Sequence, residues 1–73
     1  MNKKEFEEKF KKELRKKKES NGIHYVEVIL NNNASIFADD YVDYSDINSS
    51  LINFFINGHI SGVCELENIK MLL

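Results

Sequence analysis

The hydrophobic period of this chain changes at Gly22, and few architectures accommodate both sides of the change. Upstream, Phe6, Phe10 and Leu14 recur at i, i+4 and i+8, which lines them up along one side of an α-helix. Downstream, the segment IHYVEVIL from Ile23 to Leu30 is rich in β-branched and aromatic residues and alternates, with His24, Val26, Val28 and Leu30 on one face. A helix with one apolar stripe and strands with one apolar face bury both by packing together, so the expected class is α+β.

The helix carries its own boundaries. Asn2 followed by Glu5 is a capping box with Asn2 as N-cap, and Gly22 in SNG supplies a residue able to take positive φ at the C-terminal end, giving a helix over about 2–20. Glu5–Lys9, Glu7–Lys11, Glu8–Lys12 and Glu13–Lys17 are i,i+4 pairs in the favourable order, each worth about 0.2–0.5 kcal/mol. The apolar stripe is thin, because Lys3 and Lys17 project into its sector; their stems are expected along the core edge with the ammonium groups in water. On a neighbouring sector Lys4, Lys11, Arg15 and Lys18 fall within about 60° of one another, forming a basic ridge.

After Leu30, the run Asn31–Asn33 tolerates the left-handed conformation and predicts a tight turn into a second strand over 34–44, with a bulge near Asp39–Asp40 where the alternation slips. The next stretch has two readings. Ile47, Leu51, Phe54 and Phe55 fit a helix that stops at Gly58. Alternatively Asn57-Gly58, the pair best suited to a type I′ turn, joins strands LINFFI and HISGVCEL. The hairpin is preferred, since a helix would also leave Ile52 and Ile56 to widen its apolar arc. The expected fold is one domain over residues 1–73, an N-terminal amphipathic helix packed on a four-stranded antiparallel β-meander. In it ENIKMLL ends the chain as a strand extension or short turn. The alternative order is α-β-β-α-β.

A core of this size supplies only about 3–5 kcal/mol of net stability. One cysteine allows no intrachain disulfide, so self-association as a homodimer or partner binding would add to it. The first segment lacks the apolar run of a secretory signal and no stretch is apolar enough to span a bilayer, which gives the expectation of a soluble, cytoplasmic protein without membrane partners. Asn, Ile and Lys make up 26 of the 73 residues, a bias that points to AT-rich coding such as that of a low-GC bacterium or its phage.

Charge is divided along the chain: residues 1–20 carry +4 and residues 21–73 carry −6. The acidic part is densest in DDYVDYSD, where Asp39, Asp40, Asp43 and Asp46 surround Tyr41 and Tyr44. A calcium loop needs a glycine at its sharp turn and a terminal bidentate Glu, and this segment has neither. Tyrosines give rigid contact area and carboxylates steer cationic partners, so these six residues are the candidate partner-binding site, for a protein with a basic surface. Lys4, Lys11, Arg15 and Lys18 are the alternative, a phosphate-binding face for nucleic acid.

No catalytic constellation emerges. Cys64 in GVCEL reads as a small buried hydrophobe, and His24 and His59 lack the companion residues of a metal site. Gly22, Gly58 and Gly62 are scattered rather than gathered into a phosphate loop, and Gly62, inside a strand, marks a bulge or a close approach. Neither cofactor nor metal is expected. The functional expectation is a small non-enzymatic interaction protein, an inhibitor or adaptor encoded by a phage or mobile element, with a nucleic-acid-associated regulator as the alternative.

Overall fold

The computed structural model describes residues 1–43 and 50–73. Tyr44 and Asp46 of the acidic segment, and the part of the helical alternative before Ser50, lie outside the described residues.

Helix α1 spans Lys3–Asn21. Its start is the expected capping box: the Glu5 amide donates to Asn2 Oδ1 at 2.8 Å, and the Asn2 amide donates to Glu5 Oε1 at 3.3 Å. It ends at Gly22, whose φ of 66° is left-handed. Six strands follow: β1 Val26–Leu30, β2 Ser35–Ala38, β3 Asp40–Asp43, β4 Leu51–Ile56, β5 His59–Glu65 and β6 Ile69–Leu72, with a 3-10 turn at Leu66–Asn68 before the last. Residues 51–56 are a strand, so the helical reading fails there. The hairpin at Asn57-Gly58 holds, with positive φ at both residues and Ile56 opposite His59.

The single four-stranded meander is replaced by two three-stranded antiparallel sheets, β2-β1-β6 (sheet A) and β3-β4-β5 (sheet B). The division falls at Asp39, where the sequence predicted a bulge. The strand expected over 34–44 pairs with β1 as far as Ala38, then turns over to pair with β4 from Asp40 onward. Asp39 is the corner. Its amide donates to the Phe55 carbonyl at 2.9 Å, and its Oδ2 accepts from the Asn57 amide at 2.9 Å, which ties the corner to the β4–β5 turn. The end of the chain turns through Leu66–Asn68 and then pairs with β1, placing Met71 opposite Ile29 and Leu72 opposite Val28.

The first turn after β1 uses the asparagines as expected. Asn33 adopts φ 67°, its amide donates to the Leu30 carbonyl at 2.8 Å, and Asn32 Oδ1 accepts from the Ala34 amide at 3.0 Å. The 3-10 turn is fastened to this corner by the Asn31 amide on the Asn68 carbonyl at 2.9 Å and by Asn31 Nδ2 on the Glu67 carbonyl at 3.0 Å.

Between the sheets lies one core, built from Val26, Val28, Ile36, Ala38, Ile52, Phe54, Cys64, Leu66, Ile69 and Leu72, with Phe6 and Phe10 entering from the helix. Strand β2 lies against β4 and β5 across this core. The approach is close at Gly62, where a Cβ would stand 2.8–3.0 Å from three side-chain atoms of Ile36. Beside it the register slips: Phe54 faces Gly62 and Phe55 faces Ile60, leaving Ser61 as the extra residue of a bulge. Gly62 therefore answers both readings made for it, and the bulge leaves the Ser61 hydroxyl buried with no hydrogen-bond partner.

Candidate partner-binding surfaces

Of the acidic segment, the described residues are Asp39, Asp40, Tyr41, Val42 and Asp43, and the strand period sorts them onto two faces. Tyr41 and Asp43 turn toward the helix. The Tyr41 ring packs edge-on against Phe6 and against Phe10, with centroids 4.9 Å apart in both cases. Burial first, then the charges of Glu7, Asp43 and Asp40, raise its phenol above the ordinary tyrosine value, so it is neutral at physiological pH. Asp43 forms an ion pair with Lys3 at 3.7 Å, its side chain only 11% exposed. Asp39 is the corner residue already described. Asp40 is exposed, with Oδ1 accepting from the Tyr41 amide at 2.8 Å. Of the six residues expected to form one binding surface, the four described divide: Tyr41 packs against the aromatic core, Asp39 and Asp43 are engaged within the fold, and Asp40 faces solvent.

Most of the residues around Asp40 on the outer face of sheet B are apolar, with Asn53 among them. Residues directly opposite in an antiparallel pair share a face. The register therefore gives a row Asp40–Phe55–Ile60, a row Val42–Asn53–Val63, and Leu51 beside Glu65. Val42, Ile60 and Val63 are 41%, 59% and 47% exposed, while Leu51 and Phe55 on the central strand are half-buried between them. Among the described residues, the charged side chains of this face are Asp40 and Glu65. The sequence held a partial signal for it: in LINFFI the phase Ile52, Phe54, Ile56 is wholly apolar while the phase Leu51, Asn53, Phe55 is broken by Asn53, and the broken phase is the outer one.

Glu65 and Glu67 meet at one end of this face, where Ser50 Oγ donates to Glu67 Oε2 at 3.0 Å. A shared hydrogen bond between the two carboxyls raises the affinity of Glu65 for its proton, with their mutual repulsion adding to the effect. The same bond, together with the Ser50 hydroxyl, lowers that of Glu67. Among the described residues no group of three or more His, Cys, Asp or Glu is placed to hold a metal ion.

Sheet A also has an uncovered outer side. Tyr25 and Phe37 meet edge-on with centroids 5.5 Å apart, and Met71 and Leu73 are exposed near them. Glu27 sits within this group and accepts from Ser35 Oγ at 2.8 Å.

Lys4, Lys11, Arg15 and Lys18 are all exposed, as the helical wheel requires. Lys11, Arg15 and Lys18 stand around half-buried Leu14 in a shallow depression, and a second depression is lined by Lys12, Arg15, Lys16, Glu19 and Ser20. Lys3 and Lys17, the two lysines in the apolar sector, instead contact the body: Lys3 at Asp43, and Lys17 through its ammonium to the Leu73 carbonyl.

The buried Cys64 thiol is pushed up to about 11 by burial, so it stays protonated near neutrality and offers no thiolate. His24 and His59 are both exposed. Among the described residues no helix is long and apolar enough to cross a membrane. Compared with protein-family models, curated proteins and solved structures, the chain matches none.

Proposed function

We propose that this chain is a small non-enzymatic interaction protein that binds a protein partner through the outer face of sheet B. The observation that carries the reading is the exposed apolar group Val42, Ile60 and Val63, set with half-buried Phe55 around Asn53 on a three-stranded sheet and bordered by Asp40 and Glu65. An exposed apolar group with a polar rim is the arrangement of a protein interface. Its acidic rim selects the partner's chemistry, an apolar centre flanked by lysine or arginine, with the carboxylates mainly accelerating encounter. Tyr41 and Asp39 serve the site indirectly, Tyr41 by seating the helix on β3 and Asp39 by fixing the corner from which β3 departs.

The compact size, acidic body and AT-rich coding pattern support an inhibitor or adaptor of phage or mobile-element origin, acting in a bacterial cytoplasm. The test is affinity capture from a low-GC bacterial lysate with three baits: the native chain, Val63→Glu, and Lys11→Gln. A basic protein captured by the native chain and Lys11→Gln but lost with Val63→Glu supports the reading. Equal capture by all three baits, or loss only with Lys11→Gln, contradicts it. Sedimentation of the native chain alone separates self-association from partner binding, since a dimer dispersed by Val63→Glu would assign the face to a second copy.

A further inference from the structure

Charge along α1 is balanced over residues 3–10 and strongly positive over residues 11–21. Glu5, Glu7 and Glu8 occupy the first two turns, where Glu5 completes the capping box and pairs with Lys9 at 3.9 Å. Beyond them Lys11, Lys12, Arg15, Lys16 and Lys18 are exposed, and none of these five enters an ion pair among the described residues. Glu13 lies outside the sector these residues occupy at about 100° per residue, whereas Glu19 lines the same depression as Lys12, Arg15 and Lys16. Of the five glutamates in the N-terminal segment, Glu8 and Glu19 share this sector, one at each axial end of the basic group, and the face keeps an excess of positive charge between them.

We propose that the face Lys11–Lys18 of α1 binds the phosphate backbone of nucleic acid without regard to sequence. Five cations fall within seven residue steps, about 10.5 Å of helix axis, a linear density close to the one negative charge per roughly 1.7 Å of a duplex. Arg15 borders both depressions and brings a fork that matches two phosphate oxygens, while the Lys11 and Lys18 stems flank the Leu14 side chain. Basic residues near a helix C-terminus also oppose the helix dipole, but that benefit is confined to the last turn and does not account for Lys11 and Lys12. Contacts to phosphate position a protein and carry no sequence information, so binding through this face is indifferent to sequence. This surface is separate from sheet B, whose Asp40 and Glu65 would repel the same ligand, so the chain has two faces for partners of opposite charge.

The test uses the full chain and fluorescence anisotropy with a labelled duplex of about 20 base pairs and a single strand of similar length, over roughly 50 to 200 mM salt. Binding to either, indifferent to sequence, is expected, with log affinity falling against log salt at a slope of about −3 to −5. Substituting Lys11→Gln, Arg15→Gln and Lys18→Gln together should weaken binding about tenfold or more at the lowest salt and make the slope shallower by about 2 to 3. The charge-preserving pair Lys11→Arg and Lys18→Arg should retain both affinity and slope, and circular dichroism should show every variant folded, since all the altered side chains are exposed. Absence of binding at the lowest salt overturns the proposal. So does binding unchanged by the triple substitution, or binding to phosphatidylserine vesicles without binding to either nucleic acid.

Discussion

The two faces of sheet B are built from strands of nearly equal apolar content, yet they do different things. The inner face presents Tyr41, Ile52, Phe54 and Cys64 to the helix and to β2, and Ile52 and Phe54 are almost wholly buried. The outer face presents Val42, Phe55, Ile60 and Val63, with Val42, Ile60 and Val63 exposed among the described residues. The difference teaches that a strand's hydrophobicity says a face will be covered, while only the neighbouring elements say by what. On the inside the cover is α1, whose Phe6 and Phe10 stand 6.0 and 6.5 Å from Phe54, centroid to centroid. On the outside, the proposed cover is another protein.

The largest expected effect comes from the inner face. Phe54→Ala removes a fully buried ring shared by both helix aromatics and should cost about 3–5 kcal/mol. That equals the whole net stability expected of a core this small, so urea denaturation should find the variant largely unfolded in buffer. A loss below about 1 kcal/mol would mean that the two faces do not differ as described.

Next is the seam between the sheets. Gly62→Ala would push a methyl group into Ile36 and should cost about 1–3 kcal/mol through overpacking. Because Ile36 Cδ1 is the nearest atom, Ile36→Val should recover part of that loss in the double variant. Strict additivity would show that β2 and β5 do not meet there.

On the outer face the expectation reverses. Val63→Thr should change stability by no more than about 0.5 kcal/mol, as an exposed position does, while the same site should matter for binding. A cost comparable with that of Phe54→Ala would make the outer face part of the folding core.

The smallest effect is electrostatic. Carboxyl NMR titration should find Glu65 holding its proton to higher pH than an ordinary glutamate and Glu67 to lower pH, and Glu67→Gln should return Glu65 to ordinary behaviour. The stability linked to Glu65 is present in acid and fades as pH rises through its raised value. That linked to Glu67 is present at neutral pH and fades as pH falls through its lowered value. The two oppose one another, so the stability of the native chain should change little across the carboxylate range from this pair. Glu65 and Glu67 titrating together at the ordinary value would remove the shared hydrogen bond.

What was legible in the sequence is what local chemistry decides. The Asn2–Glu5 box, the stop at Gly22, the asparagine turn and the Asn57-Gly58 hairpin each involve residues within a few positions of one another, and each is found. The turnover at Asp39 was seen only as a slip in alternation, because its consequence depends on β4, which lies more than ten residues further on. The pairing of β6 with β1 joins residues some forty positions apart, with no local signal to announce it. The same limit acted on the site. Asp40 was recognisable as a surface charge, but whether Tyr41 faces solvent or Phe6 is set by the register with β4. An apolar strand reads alike on either face: Ile60 shares the two-residue phase of buried Cys64 in HISGVCEL, and only the bulge at Ser61 turns it outward.

The central claim is that the outer face of sheet B is a protein-binding surface, and amide chemical-shift mapping of the labelled chain with its captured partner tests it most directly. The account predicts shifts and line broadening concentrated at Val42, Asn53, Phe55, Ile60 and Val63 on addition of the partner, with the amides of Lys11, Arg15 and Lys18 unmoved. Perturbation confined to α1 or to the Tyr25–Phe37 side of sheet A, with the sheet B residues silent, would contradict it.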